Sequence, residues 1–247
     1  MIALLKRLCA STAFAFTGGW QKFIGKKSAA GMWSVSFKND KHRAAMQLAD
    51  SVHQFFDKES ERLGDVSVIR GQRRKIACKA GCSYCCSLYV SASSSELLLI
   101  EGFISRLPPN AGETVKARVK AAYVRAKEKS MAERDSVRIR CPLLSNGGTC
   151  DVYPVRPLTC RSYVSFDLPA CKTDAENPGA GTEVGRSASL IQIRSMLFGQ
   201  LVSKERERGY AAGSYELVQG LHALLMSEGA IESVCRGIDP MVNAISR

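Results

Sequence analysis

The chain has 247 residues, enough for one sizeable domain with an appendage. Hydrophobic residues at 45% and charged residues at 23% are ordinary for a globular protein, and there is no internal repeat or low-complexity segment. A formal charge of +12 would suit nucleic acid, anionic lipid or an acidic protein. No RRM, KH, homeodomain or helix-turn-helix signature accompanies it, so a solvated basic surface is the simpler reading.

Taken in order, residues 1–37 differ from the rest. Lys6 and Arg7 precede a short apolar run ending at Phe16, then Gly18 and Gly19. This is signal-like, but the apolar core is too short to span a bilayer and no convincing cleavage site follows. A flexible or amphipathic extension is expected, or an over-long start with Met32 as the true one. Residues 38–247 are expected to form a single helical domain. The first helix, 40–63, carries Ala45, Leu48, Val52, Phe55 and Phe56 at helical spacing and stops at Gly64. His42 and His53 lie on it and are expected to be surface or packed residues. Residues 66–77 are a basic connector.

Then come four cysteines in nine residues: Cys78, Cys82, Cys85 and Cys86. Cys141, Cys150, Cys160 and Cys171 form a second block, so eight of the ten cysteines fall in two stretches. A Cys-x-x-Cys turn points two sulfurs at one centre, and a second pair completes a tetrahedron. Thiolates are soft ligands that favour zinc or iron–sulfur clusters. Burial as small hydrophobes suits scattered cysteines better than this density. Disulfides remain open for an oxidising compartment, although Cys85 and Cys86 cannot easily bond to each other. Adjacent side chains diverge, so that pair faces two centres or supplies one ligand and one spare. Two four-sulfur sites, or one site plus four other thiols, both fit. All three histidines lie outside the blocks, and an all-cysteine site is expected. Cys9 and Cys235 stand apart.

Between the blocks, Leu88 to Ser91 is expected to be extended. Ser93 and Glu96 fit a capping box that opens a helix to about Arg106. That helix is apolar nearly all round, so it should be buried and back the cluster. Pro108 and Pro109 end it. A charged amphipathic helix over 113–134 follows. Ser145 to Gly148 is a turn, and Pro154 and Pro157 argue against a regular helix, so the second block is expected to be loop that a metal would stabilise. Arg156 and Arg161 flank Cys160 and are expected to donate hydrogen bonds to sulfur or neighbouring carbonyls. An exposed loop is expected over 172–186, and helices over 187–206 and 214–229.

At these residues the chain resembles the YkgJ-type cysteine-cluster family, whose domain is described as zinc- or iron-chelating. The matching features are Cys82-Ser-Tyr-Cys85-Cys86, Cys141-Pro-Leu-Leu, Gly147-Gly148-Thr-Cys150-Asp-Val-Tyr153-Pro-Val-Arg156-Pro157-Leu-Thr-Cys160-Arg161 and Cys171. They cover about residues 70–171. Cys78 departs from the pattern, lying four residues before Cys82 rather than three. The resemblance implies a bacterial metal-binding protein with zinc or iron, including an iron–sulfur cluster, as its cofactor. Flagellin lysine N-methylase proteins resemble the same family, which keeps a protein-modifying enzyme open without carrying over residues. Cys78-x-x-x-Cys82-x-Tyr84-Cys85 also fits the radical S-adenosylmethionine signature, but the repeated strand–helix units of that class are not read here.

The expected architecture is therefore mainly α, with an irregular cysteine-rich metal-binding module. The expected function is metal binding through clustered thiolates, with a structural or a metal- or redox-handling role. A protein-modifying enzyme and a zinc-stabilised nucleic-acid module are the alternatives. The expected compartment is the cytoplasm. No nucleic-acid or membrane partner is indicated, no protein partner is identified, and no Ser-His-Asp or paired-carboxylate arrangement marks a catalytic residue.

Overall fold

A computed structural model describes residue 33 and residues 40–63, 66–69, 72–79 and 81–244. All but the first belong to the unit Phe37–Arg247. The expected extension 1–37 and Cys9 lie outside the described residues, apart from Trp33.

The fold is mainly helical. Asp40 opens the first helix, α1 (Lys41–Leu63), by accepting the Arg43 N–H at 2.9 Å. Its buried stripe of Ala45, Leu48, Ala49, Val52 and Phe56 faces the core. The connector expected over 66–77 is instead a hairpin, in which β1 (Val66–Ile69) pairs antiparallel with β2 (Gln72–Lys75). The alternating β-branched run Val66-Ser-Val-Ile69 is the local reason.

At the centre stands α2 (Ser94–Ile104). Its capping box has the expected form: Ser93 accepts from the Glu96 N–H, and Glu96 accepts from the Ser93 N–H. Leu97, Leu98 and Ile100 have no exposed surface. α1 packs across α2, and a Cβ on Gly102 would stand 2.5 Å from the Met46 sulfur, so a larger residue there would have to displace the Met46 side chain. Just before α2, β3 (Ser91–Ala92) pairs antiparallel with β4 (Tyr215–Glu216).

The helix expected over 113–134 is two helices. α3 (Pro109–Ala126) begins earlier, because Pro109 sits in its first turn, where a missing N–H costs nothing. It ends where Lys127 turns extended and Glu128 takes a positive φ of 63°. Ser130 and Glu133 then form a second capping box that starts α4 (Met131–Ser136).

The second cysteine block also departs from expectation. After a 3₁₀ turn at Tyr153–Val155, α5 (Leu158–Ser162) carries Cys160, and α6 (Leu168–Glu176) carries Cys171. Pro154 and Pro157 sit at or just before helix starts, where proline is tolerated. The loop expected over 172–186 therefore begins only after Glu176. The long helix α7 (Ala188–Glu207) is capped by Ser187. The helix expected over 214–229 is shorter, α8 (Leu217–Met226), because Tyr215 and Glu216 are taken by the β3 pairing. The last α-helix among the described residues, α9 (Ala230–Cys235), buries Val234 and Cys235.

α1 packs on α2, α7 and α9, while α8 packs on α2 and α3. The core thus forms around α2, and its N-terminal end is where both cysteine blocks attach. Among the described residues the only paired sheets have two strands each, so the strand–helix barrel of radical enzymes is not present in them. Among the described residues no helix is long and apolar enough to cross a membrane.

Candidate metal centre

The first block is built of turns. Ala77 donates its N–H to the Ser165 carbonyl at 2.8 Å, and the Ser165 N–H donates to the Cys78 sulfur at 3.3 Å. Gly81 turns the chain at φ +82°, a conformation that favours glycine. Cys82 N–H then bonds Lys79 O, Cys86 N–H bonds Ser83 O, and Leu88 N–H bonds Cys85 O. These short-range bonds fold residues 81–88 into successive turns.

The second block closes on the first. The Cys141 N–H donates to the Cys86 carbonyl at 2.7 Å. From there the chain makes a tight hairpin, with Leu144 bridging Cys150 and Gly148 at φ +80° in the turn. α5 then returns Cys160, and Asp167 caps α6 to present Cys171.

Burial and nearby charge act together on these thiols. Burial pushes the Cys78 thiol up, the Ser165 N–H draws it down, and the charges of Cys85, Cys82 and Cys171 push it up again. Burial holds Cys160 well above the usual thiol value, with Cys141, Cys85 and Cys150 adding to it. Burial pushes Cys141 up to about 12, with a further push from Cys150. A hydrogen bond with Cys86, and then burial, push Cys85 up strongly. Each cluster residue keeps some exposed surface, yet the sulfurs lie deep enough for burial to lead at Cys78, Cys141, Cys150 and Cys160.

The charges of Cys85, Cys82 and Cys171 act on Cys78, and those of Cys141, Cys85 and Cys150 act on Cys160. Among the described residues every cysteine is a free thiol, and no three Cys, His, Asp or Glu side chains already form a ligating array. Closing on an ion would require these sulfurs to turn toward a shared point. Crowded thiols that resist ionisation alone fit a soft divalent or iron centre, because a bound cation reverses the penalty and takes the place of their protons. Cys235 stands apart, packed in the core with its carbonyl accepting from Lys41 Nζ at 3.0 Å.

The histidines are engaged elsewhere. His53 bonds Glu96 at 3.0 Å, His42 lies 3.6 Å from Glu101, and His222 stacks on Tyr123.

Of the flanking arginines, Arg161 is 7% exposed and spends its guanidinium on backbone. It donates to the carbonyls of Arg156, at 2.8 Å, and Pro154, and to the Asp57 carboxylate. It therefore braces the turn that leads into the Cys160 helix. Arg156 stacks on Tyr153 at 4.1 Å, and its charge lowers Cys150 and Cys160. Both arginines line an open groove of about 310 Å³ with Asp57, Ser60, Glu61, Tyr153 and Pro154. Replacing Arg161 with alanine leaves two carbonyls without their donor. The expected cost is about 2 kcal/mol in urea denaturation, with weaker metal retention against a chelator. Unchanged values in both measurements would contradict the bracing role.

Two further cations were not legible in the sequence. Arg118 on α3 donates to the Leu144 carbonyl and to Asp151, and its charge lowers Cys141. Arg186 acts similarly on Cys85. Neither sits near a cysteine in the chain, so no spacing rule marks them.

Free thiols gathered from separate segments, with cations around them, are the arrangement of a metal-chelating cysteine module. Residues 77–178 match the CxxCxxCC family model, described as "Putative zinc- or iron-chelating domain". No curated protein matches the chain. No solved structure matches it.

Proposed function

We propose that this protein holds zinc or iron through the thiolates of Cys78, Cys82, Cys85, Cys86, Cys141, Cys150, Cys160 and Cys171. The observation that carries the reading is the meeting of the two blocks, through the 2.7 Å bond between Cys141 N–H and Cys86 O. The vicinal pair divides the sulfurs into two sets. Cys85 joins Cys78, Cys82 and Cys171, while Cys86 joins Cys141, Cys150 and Cys160. Each set supplies the four soft donors that a tetrahedral zinc or an iron–sulfur centre takes. A zinc closed by four sulfurs has no open position for substrate, so its role is structural. An iron–sulfur centre would instead serve electron transfer or redox sensing. Arg156 and Arg161 support the second set, by charge and by bracing its helix.

Elemental analysis and an absorption spectrum of anaerobically purified protein test the reading. Two equivalents of zinc, or iron with matching sulfide and a brown colour, are expected. Cys160→Ser should lose the metal of one set, whereas Cys235→Ala should keep all of it. Wild-type protein that takes up neither zinc nor iron would rule the function out.

A further inference from the structure

We propose that Arg186, which lies beyond the segment matched to the family, is a positioning residue for the thiol cluster, clamped in place by Tyr163. The inference rests on the metal-binding reading above and assigns to it a residue that the cysteine pattern does not contain.

The geometry is a three-stranded contact made of single residues. Ser165 sits in the middle, 4% exposed. On one side it exchanges with the first cysteine block, accepting the Ala77 N–H at 2.8 Å and donating its own N–H to the Cys78 sulfur at 3.3 Å. On the other side it forms an antiparallel bridge with Arg186. Its hydroxyl donates to the Gly185 carbonyl at 3.0 Å, and the Phe166 N–H bonds the same carbonyl at 3.2 Å. The segment before α7 is thus laid beside a residue that already touches a candidate ligand.

The Arg186 side chain is fixed as firmly as its backbone. Its Nη1 donates to the Tyr163 hydroxyl at 2.8 Å, and its guanidinium carbon lies 3.9 Å from the centre of the same ring. Stacking and a hydrogen bond on one aromatic residue leave the fork little rotational freedom.

Arg118, Arg138 and Arg161 are each paired with a carboxylate, namely Asp151, Asp174 and Asp57. Among the described residues no carboxylate lies within ion-pair distance of Arg186; its side-chain partner is a neutral phenol. That unpaired positive charge is carried by a residue bridged to Ser165, whose own N–H reaches the Cys78 sulfur. Four thiolates on a divalent ion carry an excess of two negative charges, and a fixed cation beside the first cysteine block offsets part of that excess. Tyr163 follows directly on the Cys160-Arg161-Ser162 turn, so the clamp moves with the second block while Arg186 serves the first.

The test loads wild-type, Arg186→Gln, Arg186→Lys and Tyr163→Phe proteins with cobalt(II) under anaerobic conditions. The sulfur-to-cobalt charge-transfer band is followed as a chelator removes the ion. Arg186→Gln should release cobalt at least about tenfold faster than wild type. Arg186→Lys should recover much of the difference because it keeps the charge, and Tyr163→Phe should fall between because it keeps the stack. Circular dichroism of the metal-free chains confirms that the variants are folded. Wild-type protein that binds no cobalt would remove the metal reading and this inference together. Wild-type protein that binds cobalt while Arg186→Gln releases it at the same rate would overturn the inference alone. Lysine failing as badly as glutamine would also overturn it, because the role would then be shape and not charge.

Discussion

Glu96→Ala is expected to unfold the domain or to cost it at least about 4 kcal/mol, the largest effect of any single change near the cluster. The carboxylate has no exposed surface, and it is a junction of three segments. It accepts from the Ser93 N–H at 2.8 Å, the Leu158 N–H at 2.7 Å and His53 Nε2 at 3.0 Å. Those donors belong to the start of α2, the start of α5 and the middle of α1. Alanine would strand all three in the core at about 1–3 kcal/mol each, and would also remove the capping box. Glutamine keeps the shape but turns an NH₂ group toward N–H donors, so about 2 kcal/mol is expected. Because Leu158 opens the helix that carries Cys160, Glu96→Gln should also hold metal less tightly while still folding. Urea denaturation and chelator competition measure the two effects separately. An alanine variant within 1 kcal/mol of wild type would show that this junction is not what joins the second block to the core.

Glu96 also marks the line between what was legible in the sequence and what was not. Its capping role follows from four adjacent residues, Ser93 to Glu96, and local rules find it. Its bonds to Leu158 and His53 join residues 62 and 43 positions away, and no local rule reaches them. The same division holds elsewhere. The periodicity of α1 and the Ser187 cap of α7 are local, and both elements lie where the pattern puts them. The break between α3 and α4 is local too, but its signal at Ser130 and Glu133 hides inside a charged run that continues at helical spacing. Pro154 and Pro157 misled for a physical reason. Proline stops a helix from within yet suits its first turn, and here both stand at or before starts. The cysteines announced themselves by spacing, whereas Arg186 did not. Its place beside the cluster comes from the Ser165 bridge, a contact between segments with no common motif.

The second large effect is one of pH. The Glu205 carboxyl should lower the stability of this protein as pH rises from about 4.5 to about 7. That group on α7 is fully buried, and burial pushes its pKa up from 4.5 to about 7, against the pull of the Ser95 N–H and the hydroxyls of Ser93, Ser95 and Ser94. The Ser95 N–H reaches one carboxyl oxygen at 2.8 Å. A folded value above the unfolded one means that the native state holds the proton more tightly. The resulting stabilisation is complete below about pH 4.5 and is lost as pH rises through about 7. At about 1.4 kcal/mol per pH unit over this window, the loss is on the order of 3 kcal/mol. Glu205→Gln mimics the protonated form at every pH and can still accept from Ser95. Urea denaturation of both proteins from pH 4.5 to 8, taken as a difference, cancels the titration of the cysteines. The variant should match wild type at the acid end and exceed it by about 3 kcal/mol at the alkaline end. A difference that stays constant across the range would mean that Glu205 is ionised in the core throughout. The N-terminus of α2, which the buried carboxyl meets at Ser95, would then be stabilising a full negative charge.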